Sequence, residues 1–250
     1  VADVIHWTAA VITLVIPLSE LHGTDGFCIL GRHSEQGGHP HPEQGARATQ
    51  RDGCRNAGDI AGAYTVRVYA ELDGGNRLDA VYGNAEHNMA LSYNGGASAY
   101  QDALGGATSQ SINSAFFPLA PSLEWDSYFT IGALYSDGTP FGNNALQDIG
   151  INWSTWDPSG GDLFADNGTF FVTPVDPQGE AIDGRVLVAQ FTTFAGSGAY
   201  DIHFTAGFQG KDSAGDTWQA GHEVFIGVPA PGAVALLGLA GLAGRRRRRA

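Results

Sequence analysis

Four Asx-Gly pairs, Asn94-Gly95, Asp137-Gly138, Asn167-Gly168 and Asp183-Gly184, punctuate the middle of this chain and confine it to short extended runs. Asn and Asp tolerate left-handed backbone and Gly has no Cβ to clash there, so each pair reverses the chain within two residues. The run from Ala63 shows the pattern that such turns serve. Tyr64, Val66, Val68 and Ala70 alternate with Thr65, Arg67, Tyr69 and Glu71, a period of two with one polar face. Asp73 to Asn76 supplies a turn before Leu78–Tyr82. Further strands are predicted at Asn88–Tyr93, Ser127–Tyr135, Asp148–Trp153, Gly168–Thr173, Arg185–Phe194, Ala199–Phe208 and Thr217–Ile226. No long amphipathic helix fits between them, and about eight or nine strands in this arrangement predict an all-β fold, an antiparallel β-sandwich.

The last three runs are predicted to form a meander of two hairpins, turning at Gly196–Gly198 and at Asp212–Asp216. Strict alternation along the first of them puts Val186, Val188, Gln190 and Thr192 on one face and Leu187, Ala189, Phe191 and Thr193 on the other. The stretch Gly95–Pro121 is less regular and reads as a long loop over one sheet edge. The general look resembles jelly-roll, cohesin-like or Ig-like sandwiches, by analogy and without a shared motif.

Composition fits an exported, glycine-turned domain. Of 250 residues 36 are Gly and 13 are Phe, and Lys211 is the single lysine. The chain carries 26 Asp and Glu against 13 Lys and Arg; five of the latter are Arg245–Arg249, so the preceding residues carry 26 against 8, a formal charge of −18. A surface so acidic repels nucleic acid and anionic lipid.

The end of the chain has a different character. Val228, Pro229, Ala230, Pro231 and Gly232 precede the uncharged, Leu- and Ala-rich run Ala233–Gly244, and five arginines follow. The run predicts a short transmembrane helix that starts sharply after the prolines. At 1.5 Å per residue it covers only about 18 Å, and reaching back through Phe225–Val228 is needed to approach a hydrocarbon core of roughly 30 Å. Arginines are retained on the cytoplasmic side, which places the domain before Pro229 on the opposite side.

These residues resemble a PEP-CTERM protein-sorting signal, with Ala230 standing where that family most often has Glu. The resemblance covers 228–250 alone: the motif at 228–232, the membrane helix at 233–244 and the basic anchor at Arg245, Arg246, Arg247, Arg248 and Arg249. It implies bacterial export, processing by an exosortase-type membrane enzyme as partner, transient anchoring in the inner membrane, and a final place at the cell envelope or outside the cell, often beside exopolysaccharide.

Residues 1–62 do not share the pattern of the domain at 63–227. Thr8–Leu18 is the only candidate apolar core of a signal peptide, and it lacks both a basic leader and a small-residue cleavage site. His22–Asp59 is rich in Gly, His, Gln, Arg and Pro with no apolar period, which predicts a poorly structured segment and a displaced translational start. Cys28 and Cys54 allow one disulfide there in an oxidising compartment, and His22, His33, His39 and His41 form a His-rich tract, read as composition rather than as a metal site. Cysteine is absent from Ala63 onward, which excludes a thiol nucleophile in the domain.

Catalytic motifs are missing as well. Gly96-Ala97-Ser98-Ala99-Tyr100 lacks the second glycine of a nucleophile elbow, and His222-Glu223 has Ile226 where a zinc helix needs its second His. A glycosidase pair can be assembled only by choosing among Glu124, Asp126, Glu180 and Asp183. Asp162 with Asp166, and Asp212 with Asp216, are candidate Ca²⁺ ligands in oxygen-rich turns, although tight hairpins call for the same residues and turn geometry is the leading reading. Among the aromatics Trp125, Tyr128, Trp153, Trp156, Trp218, Tyr100 and Tyr135, Trp156 before Asp157-Pro158 is the candidate for an exposed sugar-stacking ring and Trp153 for the core. No regular Thr array of the kind an ice-binding face needs is present. The expectation is therefore an exported, non-enzymatic surface or matrix protein with a structural or adhesive sandwich that binds glycan, needing no cofactor beyond the candidate Ca²⁺. The alternative is a secreted carbohydrate-active enzyme.

Overall fold

The computed structural model describes residues 60–194, 196–197 and 200–227, together with the backbone of three short strands nearer the N-terminus. The sorting motif, the membrane helix, the arginine block, both cysteines and the His-rich tract lie outside the described residues. The chain forms strands β1 (Ile29–Leu30), β2 (Arg47–Thr49), β3 (Arg55–Asn56), β4 (Ala63–Glu71), β5 (Arg77–Gly83), β6 (Met89–Tyr93) and β7 (Ser98–Ala99). They are followed by β8 (Tyr128–Phe129), β9 (Gln147–Ile149), β10 (Leu163–Ala165), β11 (Gly168–Phe171), β12 (Arg185–Phe194), β13 (Ile202–Lys211) and β14 (Thr217–Gly227). The only helical pieces among the described residues are short 3₁₀ turns, and none of their helices is long and apolar enough to cross a membrane.

The strands make two antiparallel sheets. In the larger, β1, β14 and β13 lie side by side, and β13 then pairs with β5 along one half and β6 along the other. β11 and β10 continue outward from β5 and β6, and β9 closes that edge. In the smaller sheet β4 and β12 form the centre, with β2 and β3 on the far side of β4 and β7 and β8 on the far side of β12.

Several sequence expectations hold at the level of elements: β4, β5, β12 and the β13–β14 hairpin occupy the predicted stretches. The meander does not. β12 belongs to the smaller sheet and β13 to the larger, so the connection at 195–201 crosses between layers and only the second of the two hairpins forms. Asp201 anchors the crossing, with one carboxylate oxygen accepting from the Gly196 N–H at 2.7 Å and the other from the Tyr64 hydroxyl at 2.5 Å.

Glycines cut two predicted strands short. Gly132 at φ +72° ends the ladder after Tyr128–Phe129, although Thr130 and Gly132 still donate to the carbonyls of Val188 and Leu187. Gly150 at φ +75° stops β9 after Ile149, and Trp153 opens a 3₁₀ turn instead of ending a strand. β10 and β7 are too short for an alternating pattern to show.

The parity of β12 also departs from strict alternation. A bulge at Val188 shifts the register between Leu187 and Ala189, so that Val186 opposes Ala70 and Ala189 opposes Val68, while Leu187 opposes Tyr69 and Gln190 opposes Arg67. Val186, Ala189 and Phe191 therefore share the core face, and Leu187, Gln190 and Thr192 the outer one. One unpaired residue reverses the alternation on either side of it.

Between the sheets lies one apolar core, including Val66, Val68, Val186 and Phe191 from the smaller sheet and Leu78, Leu91, Phe170, Phe204 and Ile226 from the larger. Phe129 stands at its centre. Its ring is 4.9 to 5.6 Å from the rings of Trp156, Trp153, Phe191, Phe170 and Phe204, which come from both sheets and from the loop that closes one end. Phe129→Ala should cost about 3–5 kcal/mol, because neighbours fixed on two separate sheets cannot collapse onto the cavity. Chemical denaturation would measure it, and a loss below about 1 kcal/mol would show that the cluster repacks.

Candidate binding groove

The outer face of the smaller sheet is not left to solvent. The side of β4 that alternation marks as polar carries Thr65 and Tyr69, which are only 5% and 9% exposed. Thr65 and Thr192 share a 2.6 Å hydroxyl hydrogen bond across the strands, and the next pair outward joins Arg67 Nε to Gln190 Oε1 at 3.0 Å. Gln190 Nε2 donates in turn to the carbonyls of Glu124 and Asp126 at 2.9 and 3.0 Å. The segment 100–128 thus closes over one half of this face, and Ile112, Leu123 and Tyr128 form a small second core beneath it. The stretch Gly95–Pro121, read from sequence as a loop over one sheet edge, supplies both the edge pairing at β7 and most of this cover.

The buried carboxylate of Asp126 pins the cover. It is wholly inaccessible and accepts from the N–H groups of Asp102 at 2.8 Å and Ser127 at 2.9 Å on one oxygen and of Gly106 at 3.0 Å on the other. A Cβ at Gly105 would sit 1.8 Å from that second oxygen, so only glycine lets the loop come so close. Burial pushes the Asp126 carboxyl up to about 7, while its N–H donors pull the other way. Asp102, by contrast, is held below the ordinary carboxylate range: burial opposes this, but donors from Ser122, Leu104 and Tyr100 outweigh it.

The other half of the face is open and forms a groove of about 160 Å³. Arg67, Tyr69, Arg185 and Leu187 come from the two central strands, Leu134, Pro140 and Phe141 from the loop beyond Gly132, and Glu180 and Asp183 from the hairpin that precedes β12. That hairpin turns on Asp183 at φ +53° and Gly184 at φ +77°, closed by reciprocal backbone bonds between Ile182 and Arg185, as the Asx-Gly pair predicts. The Arg185 guanidinium lies 4.3 Å from the centre of the Tyr69 ring. Arg67 is half-buried behind it. Burial works against its charge, yet Tyr128, Tyr69 and Tyr135 around it hold its pKa above the ordinary arginine value.

The residues singled out from sequence fall elsewhere or divide. Trp156, expected at an exposed rim, is fully buried, its indole N–H donating to the Tyr93 hydroxyl at 2.9 Å. Trp153, expected in the core, is the half-exposed member, with its N–H on Asp148 at 3.1 Å. The assignment is reversed because the chain makes a 3₁₀ turn here, and two residues three apart in a turn do not follow strand parity. Tyr128 is fully buried and Trp218 is 7% exposed, while Trp125, Tyr100 and Tyr135 are half-buried, so these aromatics do not build a flat face together.

Asp162 and Asp166 flank the extended strand β10 and stand about 13 Å apart along it. Asp212 is used by its own turn, one oxygen accepting from Ala214 and Asp216 N–H at 2.9 and 2.8 Å. Among the described residues no three His, Cys, Asp or Glu side chains converge as a metal-binding group. Of the four carboxylates considered for glycosidase chemistry, Asp126 is sealed and Glu180 and Asp183 share the groove.

Arg67, Tyr69, Arg185 and Phe141 escaped the sequence reading as site residues. The available signal was the pairing of a cation and an aromatic on the polar face of β4, but which strand lay opposite them could not be seen before the bulge was known. Compared with models of known protein families, with curated proteins and with solved structures, the chain matches none.

Asp126 gives the domain a pH dependence of definite sign. A carboxyl raised from 3.8 to about 7 in the folded state contributes stability that is full below about pH 4 and is lost as pH rises through about 7. Asp126→Asn should flatten that part of the profile. Urea midpoints across this range would show it, and an unchanged slope in the variant would assign the pH dependence to another group.

Proposed function

We propose that the chain is an exported cell-envelope or matrix protein whose sandwich, of the jelly-roll or cohesin-like kind, binds glycan through the groove on its smaller sheet. The observation that carries this reading is the makeup of the groove: the Phe141 ring offers an apolar face, the Arg185 guanidinium lies over the Tyr69 ring, and Glu180, Asp183 and Arg67 offer hydrogen-bonding groups of both kinds around them. Sugar rings are recognised by that combination, an apolar face on an aromatic ring with hydroxyls bound at the edge. The half-exposed Trp153 lies outside this groove.

Export and sorting enter the proposal through the tail. Its motif at 228–232, membrane helix at 233–244 and Arg245–Arg249 support an exosortase-type partner, transient inner-membrane anchoring and association with exopolysaccharide. Ca²⁺ bound at Asp162, Asp166, Asp212 or Asp216 is not needed for the groove to work, and glycan binding in chelator tests that independence.

A second reading has one observation in its favour. Glu180 and Asp183 border the same groove, as the two carboxylates of a secreted carbohydrate-active enzyme would. The binding reading is favoured because Asp183 sits at the tip of a tight turn and Glu180 is 66% exposed, with Arg77 3.9 Å away, so that neither is enclosed.

The full chain on a glycan array should bind a subset of oligosaccharides, and Phe141→Ala should weaken that binding about tenfold or more by removing the half-exposed ring of the groove. Chromatography of the same glycans separates the two readings: shortened products that vanish in Glu180→Gln would establish the enzyme. Deleting Arg245–Arg249 should disturb membrane orientation and processing of the tail, read by fractionation and protease accessibility. Unchanged processing would remove the sorting proposal.

A further inference from the structure

Arg67 is the unusual group in this molecule. In a chain with twice as many acidic as basic residues, its guanidinium is half-buried, yet among the described residues no carboxylate lies within ion-pair distance of it. Its Nε is committed to Gln190 and its other partners are Tyr69 and Tyr135, all of them neutral, while Arg67 itself lines the groove. A half-buried cation whose partners are all neutral has no counter-charge of its own, and a ligand anion in the groove supplies one. Arg77 shows the contrast: it also lies beside the groove hairpin, but Asp79 neutralises it at 2.6 Å.

Resting on the glycan reading above, we propose that the groove selects an acidic sugar, with Arg67 receiving its carboxylate or sulfate and Arg185 closing over the same ring from the Tyr69 side. The planar guanidinium suits a two-oxygen anion, and partial burial excludes the water that would screen it. Glu180 and Asp183 at the rim confer the selectivity. They repel a chain of closely spaced charges such as nucleic acid, and they accept hydroxyls from the sugars on either side of the anionic one.

The test is calorimetric titration of the full chain with tetragalacturonate, with its carboxyl-reduced neutral counterpart, and with a sulfated galactan oligomer of similar length. Tetragalacturonate or the sulfated oligomer should bind at least about tenfold tighter than the neutral one, and which of the two is tighter identifies the natural anion. The affinity should fall with added salt. Arg67→Gln should remove the preference for the anionic oligomer while weak binding to the neutral one persists. Should Arg67→Gln fail to fold, Arg185→Gln provides the second variant, and the salt dependence of the unaltered protein provides a measurement free of mutation. Equal affinity for neutral and acidic oligomers, or a salt-independent affinity, would overturn the acidic-sugar assignment and leave glycan binding standing. Binding to none of the three, together with a blank array, would overturn both.

Discussion

Everything in this molecule is arranged around the place where Phe129 enters the core. It arrives from the edge of the smaller sheet and meets rings from β11 and β13 on the larger sheet, from β12 on its own, and from the loop that holds Trp153 and Trp156. Sandwich layers bury their apolar faces only against each other, and an aromatic cluster that touches both fixes their spacing. Tyr128, one residue earlier, points the other way and fills the second small core under the 100–128 segment. Two adjacent side chains of one short strand thus hold down both faces of the smaller sheet. Half of its outer face is sealed as a result, and the half that stays open is the groove.

Much of the framework could be read directly from residues. Clean alternation from Tyr64 to Glu71, and Asx-Gly pairs such as Asp183-Gly184, act over a few neighbours, and local geometry decides them. What the sequence did not disclose depends on distant partners. The crossing between β12 and β13 depends on Asp201 reaching Tyr64, 137 residues away in the chain. The places of Trp153 and Trp156 depended on a 3₁₀ turn that propensity does not announce. Asp126 was noticed only as one acid among many; its role as the anchor of a loop comes from three N–H groups that fold in from elsewhere.

The groove was hidden by the same cause. Arg67, Tyr69 and Arg185 are ordinary surface residues when considered singly, and they become a site because β4 and β12 pair in one register. Glu180 and Asp183 were picked out as acids without any indication that they would stand beside an arginine and a tyrosine. Sequence pattern located the strands that carry the site, and tertiary register chose which of their faces would meet.

The bulge at Val188 has a consequence for how this chain can change over generations. Because one unpaired residue separates the stretch that places Arg185 and Leu187 from the stretch that places Gln190 and Thr192, the residue count of β12 is an addressing system. Substitutions can revise what lines the groove one position at a time. A single deletion between Leu187 and Gln190 would only remove the bulge and leave both halves facing as they do, whereas a single insertion there would exchange interior for exterior along half the strand, sending Phe191 outward and Gln190 into the core. Descendants of this sequence should therefore diversify freely in the letters lining the groove, and tolerate loss of the bulged residue, without ever lengthening this stretch of the strand.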